Sequence, residues 1–210
     1  MSGSVRIKIC GITHPDDATA AVEAGADLIG VNFVPISKRG VDLRNAEAIC
    51  QRVDGTGVER VAVFQDQAWN EIERVLRRVE FERVQLHGDE TEEEVELIEL
   101  PVIKALAGAD LELAQQYPGS MLLLDHPSDG GGQGKVWDWS EASALIEIGL
   151  DVILAGGLDP SNVGQAIDGV GDIPPWGVDV ATGVEGEGVR KDPDAMKAFV
   201  EAVRRAEDAE

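Results

Sequence analysis

Eight strand-like runs alternate with eight helix-like stretches along the 210 residues of this chain, and this alternation limits the fold more than any other feature. The strand-like runs are 6–12, 27–33, 60–64, 83–87, 102–106, 121–125, 151–155 and 177–181. The helix-like stretches fall near 15–24, 43–53, 67–79, 91–99, 109–117, 139–148, 160–168 and 193–206. Strict alternation calls for parallel strands joined by helical crossovers. Eight such units in a chain of this length predict a single α/β domain over residues 1–210, a (β/α)8 TIM barrel. A doubly wound open sheet is the alternative. Its first strand usually feeds a nucleotide-type glycine turn, and no such turn follows the first strand here.

In a barrel, successive strand residues point alternately to the lumen and to the helix layer. Period 2 sorts Ile7/Ile9, Ile29/Val31, Val61/Val63, Val84/Leu86, Leu122/Leu124 and Val178/Val180 toward the helices. It sorts Lys8/Cys10, Asn32, Gln85/His87, Lys104, Asp125 and Asp179 toward the lumen. Active sites of this fold sit at the C-terminal ends of the strands. Polar residues there are candidates for chemistry, and two lysines with two aspartates can neutralise each other in a buried space.

Cys10, two residues past Lys8, is a candidate base or nucleophile, because a nearby ammonium favours the thiolate. The plainer reading is a small buried hydrophobe, which is how Cys50 reads. Asp125 ends the run Met121-Leu122-Leu123-Leu124; a partly desolvated carboxyl there can hold a proton for general acid work, or it can merely cap a helix. Glycine clusters lie at Gly130–Gly134, at Gly156-Gly157, and at Gly183 after Thr182. The loops after strands 7 and 8 are the usual phosphate site of this fold, and glycines let backbone N–H groups approach an anion. Arg39 suits bidentate carboxylate recognition or a solvated surface. His14, His87 and His126 have no paired ligand spacing, so no metal is expected. Trp137 and Trp139 read as packing at a helix start.

The net charge is −22, from 40 acidic and 18 basic residues. This disfavours nucleic acid and anionic membranes as partners. It also implies self-repulsion in dilute salt, which fades at about 1 M where the screening length is about 3 Å. A salt-accumulating, halophilic cytoplasm is the simplest setting, an acidic docking surface the rival one. No apolar run reaches the ~20 residues of a membrane span. The N-terminus lacks signal-peptide character, and Cys10 and Cys50 read as reduced thiols, so a cytoplasmic protein is expected.

Taken in order, these motifs resemble the phosphoribosylanthranilate isomerases, (β/α)8 enzymes of tryptophan biosynthesis. The signposts are Lys8-Ile9-Cys10-Gly11-Ile12-Thr13, Ser37-Lys38-Arg39, Val84-Gln85-Leu86-His87-Gly88, Leu123-Leu124-Asp125, Gly132-Gln133-Gly134-Lys135 with Asp138-Trp139, Gly156-Gly157-Leu158, and Val178-Asp179-Val180 leading to Gly183-Val184-Glu185. The resemblance implies an Amadori rearrangement of a small-molecule substrate, phosphoribosylanthranilate, without a cofactor, by a monomer or homodimer. It puts the general acid on Asp125 and the general base on Cys10. It puts Lys8, Arg39, Gln85, His87 and Asp179 against the substrate, Arg39 on the anthranilate carboxylate. Gly134, Gly156, Gly157, Thr182 and Gly183 would hold the phosphate. Asp179 would either meet the sugar or orient Lys8. The chain departs from the family where Ala181-Thr182 replaces two serines, at Val34-Pro35-Ile36, and in the acidic loop 186–191.

Overall fold

The computed structural model describes residues 4–126 and 136–208. Eight strands run in chain order around a closed, wholly parallel barrel. They are β1 Arg6–Cys10, β2 Leu28–Asn32, β3 Glu59–Phe64, β4 Arg83–Leu86, β5 Val102–Ala107, β6 Met121–Asp125, β7 Val152–Leu154 and β8 Gly177–Val180. The helices between them are α1 Pro15–Ala24, α2 Leu43–Val53, α3 Trp69–Leu76, α4 Glu92–Glu96, α5 Leu111–Ala114, α6 Ser143–Glu147, α7 Val163–Gly169 and α8 Pro193–Glu207. All sixteen alternating elements expected from the sequence are present.

Local chemistry sets the helix boundaries. Asp42 and Asp192 cap α2 and α8, accepting backbone N–H groups of the first turn, and Pro15 and Pro193 occupy first-turn positions that need no donor. Thr91 and Glu94 form a reciprocal capping box on α4. Gly25, at φ +94°, ends α1 in the left-handed conformation and lets the chain turn back into β2.

Two apolar layers result. The outer layer joins Ile7, Ile9, Ile29, Val31, Ala62, Phe64, Val84, Leu86, Leu122, Leu124, Val178 and Val180 to the helices. The lumen is filled by Leu28, Val61, Val63, Ile103, Ala105, Met121, Leu123, Ile153 and Ala155. Val61 and Val63 therefore face the lumen, not the helices as expected. Both faces of β3 are apolar, so alternation there carries no direction. Lys104 is also displaced from its expected place. It shares parity with the outer-layer residues Val102 and Leu106, while Ile103 and Ala105 fill the lumen. Outside the barrel it is buried and fully bonded, to Gly88 O at 2.6 Å, Glu90 Oε2 at 3.0 Å and Ala105 O at 3.2 Å. At the N-terminal end Trp176 packs against the lumen cluster, with the Arg6 and Arg83 guanidinium groups 5.4 and 5.6 Å from its ring centre. Among the described residues no helix is long and apolar enough to cross a membrane.

Candidate active site

The C-terminal ends of the strands open into a cavity of about 390 Å³. Cys10 of β1 and the following Gly11, Asn32 of β2, Val63 of β3, Gln85 of β4 and His87 just past it, Asp125 of β6, and Asp179 of β8 and Ala181 just past it line it. Val34, Ile36, Ser37, Lys38 and Arg39 close one side. Seven of the expected site residues thus meet in or directly beneath one space, although up to 171 positions separate them in the chain.

At its base, β1 and β8 pair with Lys8 opposite Asp179. The Lys8 ammonium donates to Asp179 Oδ1 at 2.7 Å, and its side chain is 1% exposed. Burial alone would push Lys8 down; the Asp179 carboxylate, with Cys10 adding to it, outweighs burial and holds Lys8 above the ordinary lysine value. Lys8 is therefore a fixed cation beneath Cys10. Cys10 lies opposite Gly30 of β2, and only a glycine fits there, since a Cβ at position 30 would stand 2.7 Å from Cys10 Sγ. Burial pushes the Cys10 thiol up, and Lys8 pulls it down. Burial wins, so the resting group is a thiol. Lys8 acts in the direction its place in the sequence implies, but desolvation by the packed barrel is the larger effect.

Across the cavity, Asp125 Oδ1 accepts the His126 N–H at 2.7 Å, and Oδ2 lies 3.4 Å from His87 Nε2. The other ring nitrogen of His87 is 2.9 Å from Gln85 Nε2. Gln85 Oε1 is buried and without a hydrogen-bond partner among the described residues. Gly156, at φ +78°, packs against Asp125; a Cβ there would stand 2.9 Å from Asp125 Oδ1 and 2.8 Å from His126 N. Trp137 and Trp139 each donate an indole N–H to Ala155 O at 2.9 Å and pack under this loop. The Gly156-Gly157 loop and the loop after β8 touch, because Gly183 lies directly against Leu158 O and Asp159. Asn162 ties the first loop down through Gly157 O at 2.9 Å and the Asp159 N–H at 2.8 Å. Gly134 and the rest of its cluster lie outside the described residues.

Arg39 leaves the loop after β2 and crosses the mouth of the barrel. Its Nε donates to Glu185, and its Nη2 donates to Thr182 Oγ1 at 2.8 Å. Thr182, expected on the phosphate, thus accepts from Arg39. Gly11, at φ +73°, makes this route passable, since any side chain there would collide with Arg39 Cδ. Lys191 and Glu185 beside it are not predicted site residues from sequence alone. The signal was thin, a lysine and a glutamate in a loop rich in glycine and acid. Cys50, on the buried face of α2, is pushed up to about 12 by burial, as befits a packing residue. His14 caps α1. Among the described residues no group of three or more His, Cys, Asp or Glu side chains is arranged to hold a metal ion.

Comparison with known proteins bears directly on this site. A family model described as N-(5′-phosphoribosyl)anthranilate (PRA) isomerase matches residues 7–202. An N-(5′-phosphoribosyl)anthranilate isomerase of Myxococcus xanthus is 42% identical over 209 residues, covering 96% of this chain and 97% of the relative. One of Pseudomonas putida is 44% identical over 210 residues, covering 97% and 99%. Among solved structures, the phosphoribosyl anthranilate isomerase of Thermotoga maritima superposes with a TM-score of 0.86 at 37% identity, covering 96% of this chain and 99% of that one. A phosphoribosyl anthranilate isomerase in complex with reduced 1-(o-carboxyphenylamino)-1-deoxyribulose 5-phosphate superposes with a TM-score of 0.84 at 36% identity, with the same coverage. On the matched length, the identity and the shared closed barrel, this chain belongs to the N-(5′-phosphoribosyl)anthranilate isomerase family.

Proposed function

We propose that this chain converts N-(5-phosphoribosyl)anthranilate to 1-(2-carboxyphenylamino)-1-deoxyribulose 5-phosphate by an Amadori rearrangement, in tryptophan biosynthesis. The observation that carries this reading is the facing of Cys10 and Asp125 across one cavity at the C-terminal end of the barrel. Asp125 gives its proton to the furanose ring oxygen as the C1′–O bond breaks, which leaves a protonated Schiff base. The Cys10 thiolate then takes the C2′ proton, and the released electron pair forms the enolamine and neutralises the cationic nitrogen. Protonation at C1′ and loss of the C2′ hydroxyl proton give the ketone. The acid must bring a proton to the ring oxygen and the base must be without one at the C2′ step; Cys10 rests as a thiol, so it gives its proton to solvent before that step. Lys8, kept charged by Asp179, is the cation that lowers the cost of forming the thiolate. This favours Asp179 as the residue that orients Lys8. His87 faces the acid, and the unpartnered Gln85 Oε1 suits a sugar hydroxyl. Arg39 holds the anthranilate carboxylate. Gly156, Gly157, Thr182, Gly183 and, beyond the described residues, Gly134 hold the phosphate.

The net charge of −22 supports a salt-accumulating cytoplasm as the working environment. The chain works as a monomer or a homodimer, and no nucleic acid or membrane takes part.

The test is the decay of anthranilate-type fluorescence with freshly generated phosphoribosylanthranilate, in about 1 M KCl, where charge is screened within about 3 Å. Rapid decay is expected, unaffected by chelator. Asp125→Asn and Cys10→Ser should each lose about 100-fold or more while melting like the parent. No decay from folded protein refutes the function, and a variant with unchanged kcat removes that residue from its role.

A further inference from the structure

Behind Arg39 stand charged residues that the proposed mechanism does not use, Glu185 and Lys191 foremost. Lys191, in the loop between β8 and α8, has a completely buried side chain. Its ammonium donates to Ala181 O at 2.8 Å and lies 3.4 Å from Glu185 Oε1. That same oxygen accepts Arg39 Nε, and Lys38 lies 3.4 Å from Oε2. Three cations thus share one carboxylate whose side chain is only 5% exposed, in a protein of net charge −22. Burial pushes Glu185 up, but the Arg39 hydrogen bond and the charges of Lys191, Arg39 and Lys38 outweigh it and hold the carboxyl below its ordinary range. Burial pushes Lys191 below the ordinary lysine range, against the pull of Glu185.

We infer that Glu185, braced by Lys191, is a positioning residue that aims Arg39 at the carboxylate on the substrate's aromatic ring, and so sets a preference for a 2-carboxyphenyl amine over an uncharged arylamine. This rests on the reading of Arg39 as the carboxylate holder. A guanidinium presents its five N–H groups in one plane. Glu185 takes Nε and Thr182 takes Nη2, so the side of the fork is committed to protein, and the Nη1/Nη2 end remains for bidentate contact with a carboxylate. Arg39 lines the cavity, whereas Glu185 and Lys191 stand behind it. Fixing Nε in advance removes rotamer freedom that a ligand would otherwise have to freeze. A lone glutamate this close to a ligand carboxylate would repel it. Lys191 and Lys38 cancel that repulsion and leave the Arg39 charge to act on the ligand. The arrangement also straps the loop after β2 to the loop after β8, across 146 residues of chain.

The experiment compares the reduced product analogue carrying the 2-carboxyphenyl group with its plain phenyl counterpart, as inhibitors of the parent, Glu185→Gln, Lys191→Met and Arg39→Ala. The parent should bind the carboxylated analogue at least about tenfold more tightly, the scale of a hydrogen-bonded charge pair. Glu185→Gln should remove most of that ratio and raise KM about tenfold, with kcat within about threefold of the parent. Lys191→Met should move the ratio the same way by less. In the Arg39→Ala background, Glu185→Gln should have no further effect on the ratio. Should Glu185→Gln not fold, Glu185→Asp, which keeps the charge but pulls it back by one methylene, decides by the same ratio. An unchanged ratio in a folded Glu185 variant, or a fall in kcat at unchanged KM, overturns the inference. A parent that binds neither analogue and does not turn over phosphoribosylanthranilate overturns the proposed function instead.

Discussion

Asp179→Asn should destabilise the protein by about 4 kcal/mol near neutral pH and make its stability rise toward alkaline pH. The Lys8 ammonium is 2.7 Å from Asp179 Oδ1 and 1% exposed. At an effective dielectric near about 20, two unit charges at that spacing attract by about 6 kcal/mol. Not all of this is lost. The variant no longer desolvates a carboxylate, and the amide oxygen still accepts from Lys8. Breaking one side of a buried pair typically costs about 3–5 kcal/mol.

The pH dependence has a definite sign. In the parent, Lys8 is held above its unfolded value, so its contribution is fully present below about pH 10.4 and is lost only as pH rises through the higher folded value. Without Asp179, burial dominates and the folded value falls below the unfolded one. Between the two values the unfolded chain binds more protons, so stability increases with pH. Urea melts in about 1 M KCl at about pH 7 and about pH 9.5 read this out, since a buried pair is screened little by salt. A Cys10→Ser background removes the thiol's own titration from the comparison. A loss below about 1 kcal/mol at the lower pH, or stability that is flat or falling between the two, would refute the reading of Lys8 as a buried cation held by Asp179.

Three further outcomes follow from the same geometry. Gly30→Ala places a methyl 2.7 Å from Cys10 Sγ and 3.1 Å from Cys10 Cα, so kcat should fall about 100-fold for a cost of about 1–3 kcal/mol in stability; unchanged kcat would mean that the thiol's position is not critical. Burial pushes the Cys10 thiol up, so its alkylation by iodoacetamide should begin at higher pH than that of a free thiol near about 8.5, and higher still in Lys8→Met; a lower onset in either protein contradicts the assigned environment. With a net charge of −22, thermal midpoints should climb steeply as KCl rises toward about 1 M, and equal midpoints at low and high salt would sink the salt-adapted reading.

Much of the fold is legible in the chain because its signals are local. Asp42 and Asp192 mark helix starts, Gly25 marks a helix end, and the strands are short, mainly apolar runs, some of them closed by a polar residue such as Asn32 or Asp125. These signals act within a few residues, so each element can be read one at a time, and eight alternating units leave one closed arrangement that buries every strand. The expected lumen positions of Lys8, Cys10, Asp125 and Asp179 also hold, because their neighbours of opposite parity are aliphatic and belong to the outer layer. Period 2 alone could not orient β3, where Val61 and Val63 face inward while Ala62 and Phe64 face outward, or β5, where Lys104 turns out to Glu90. Alternation separates two faces without saying which one turns inward; strand tilt and register settle that. Only tertiary structure brings Glu185 and Lys191 to Arg39, presses Cys10 against Gly30, and decides the Cys10 thiol in favour of burial over the nearby ammonium. Desolvation depends on every atom packed around a group, and no short stretch of sequence contains that sum.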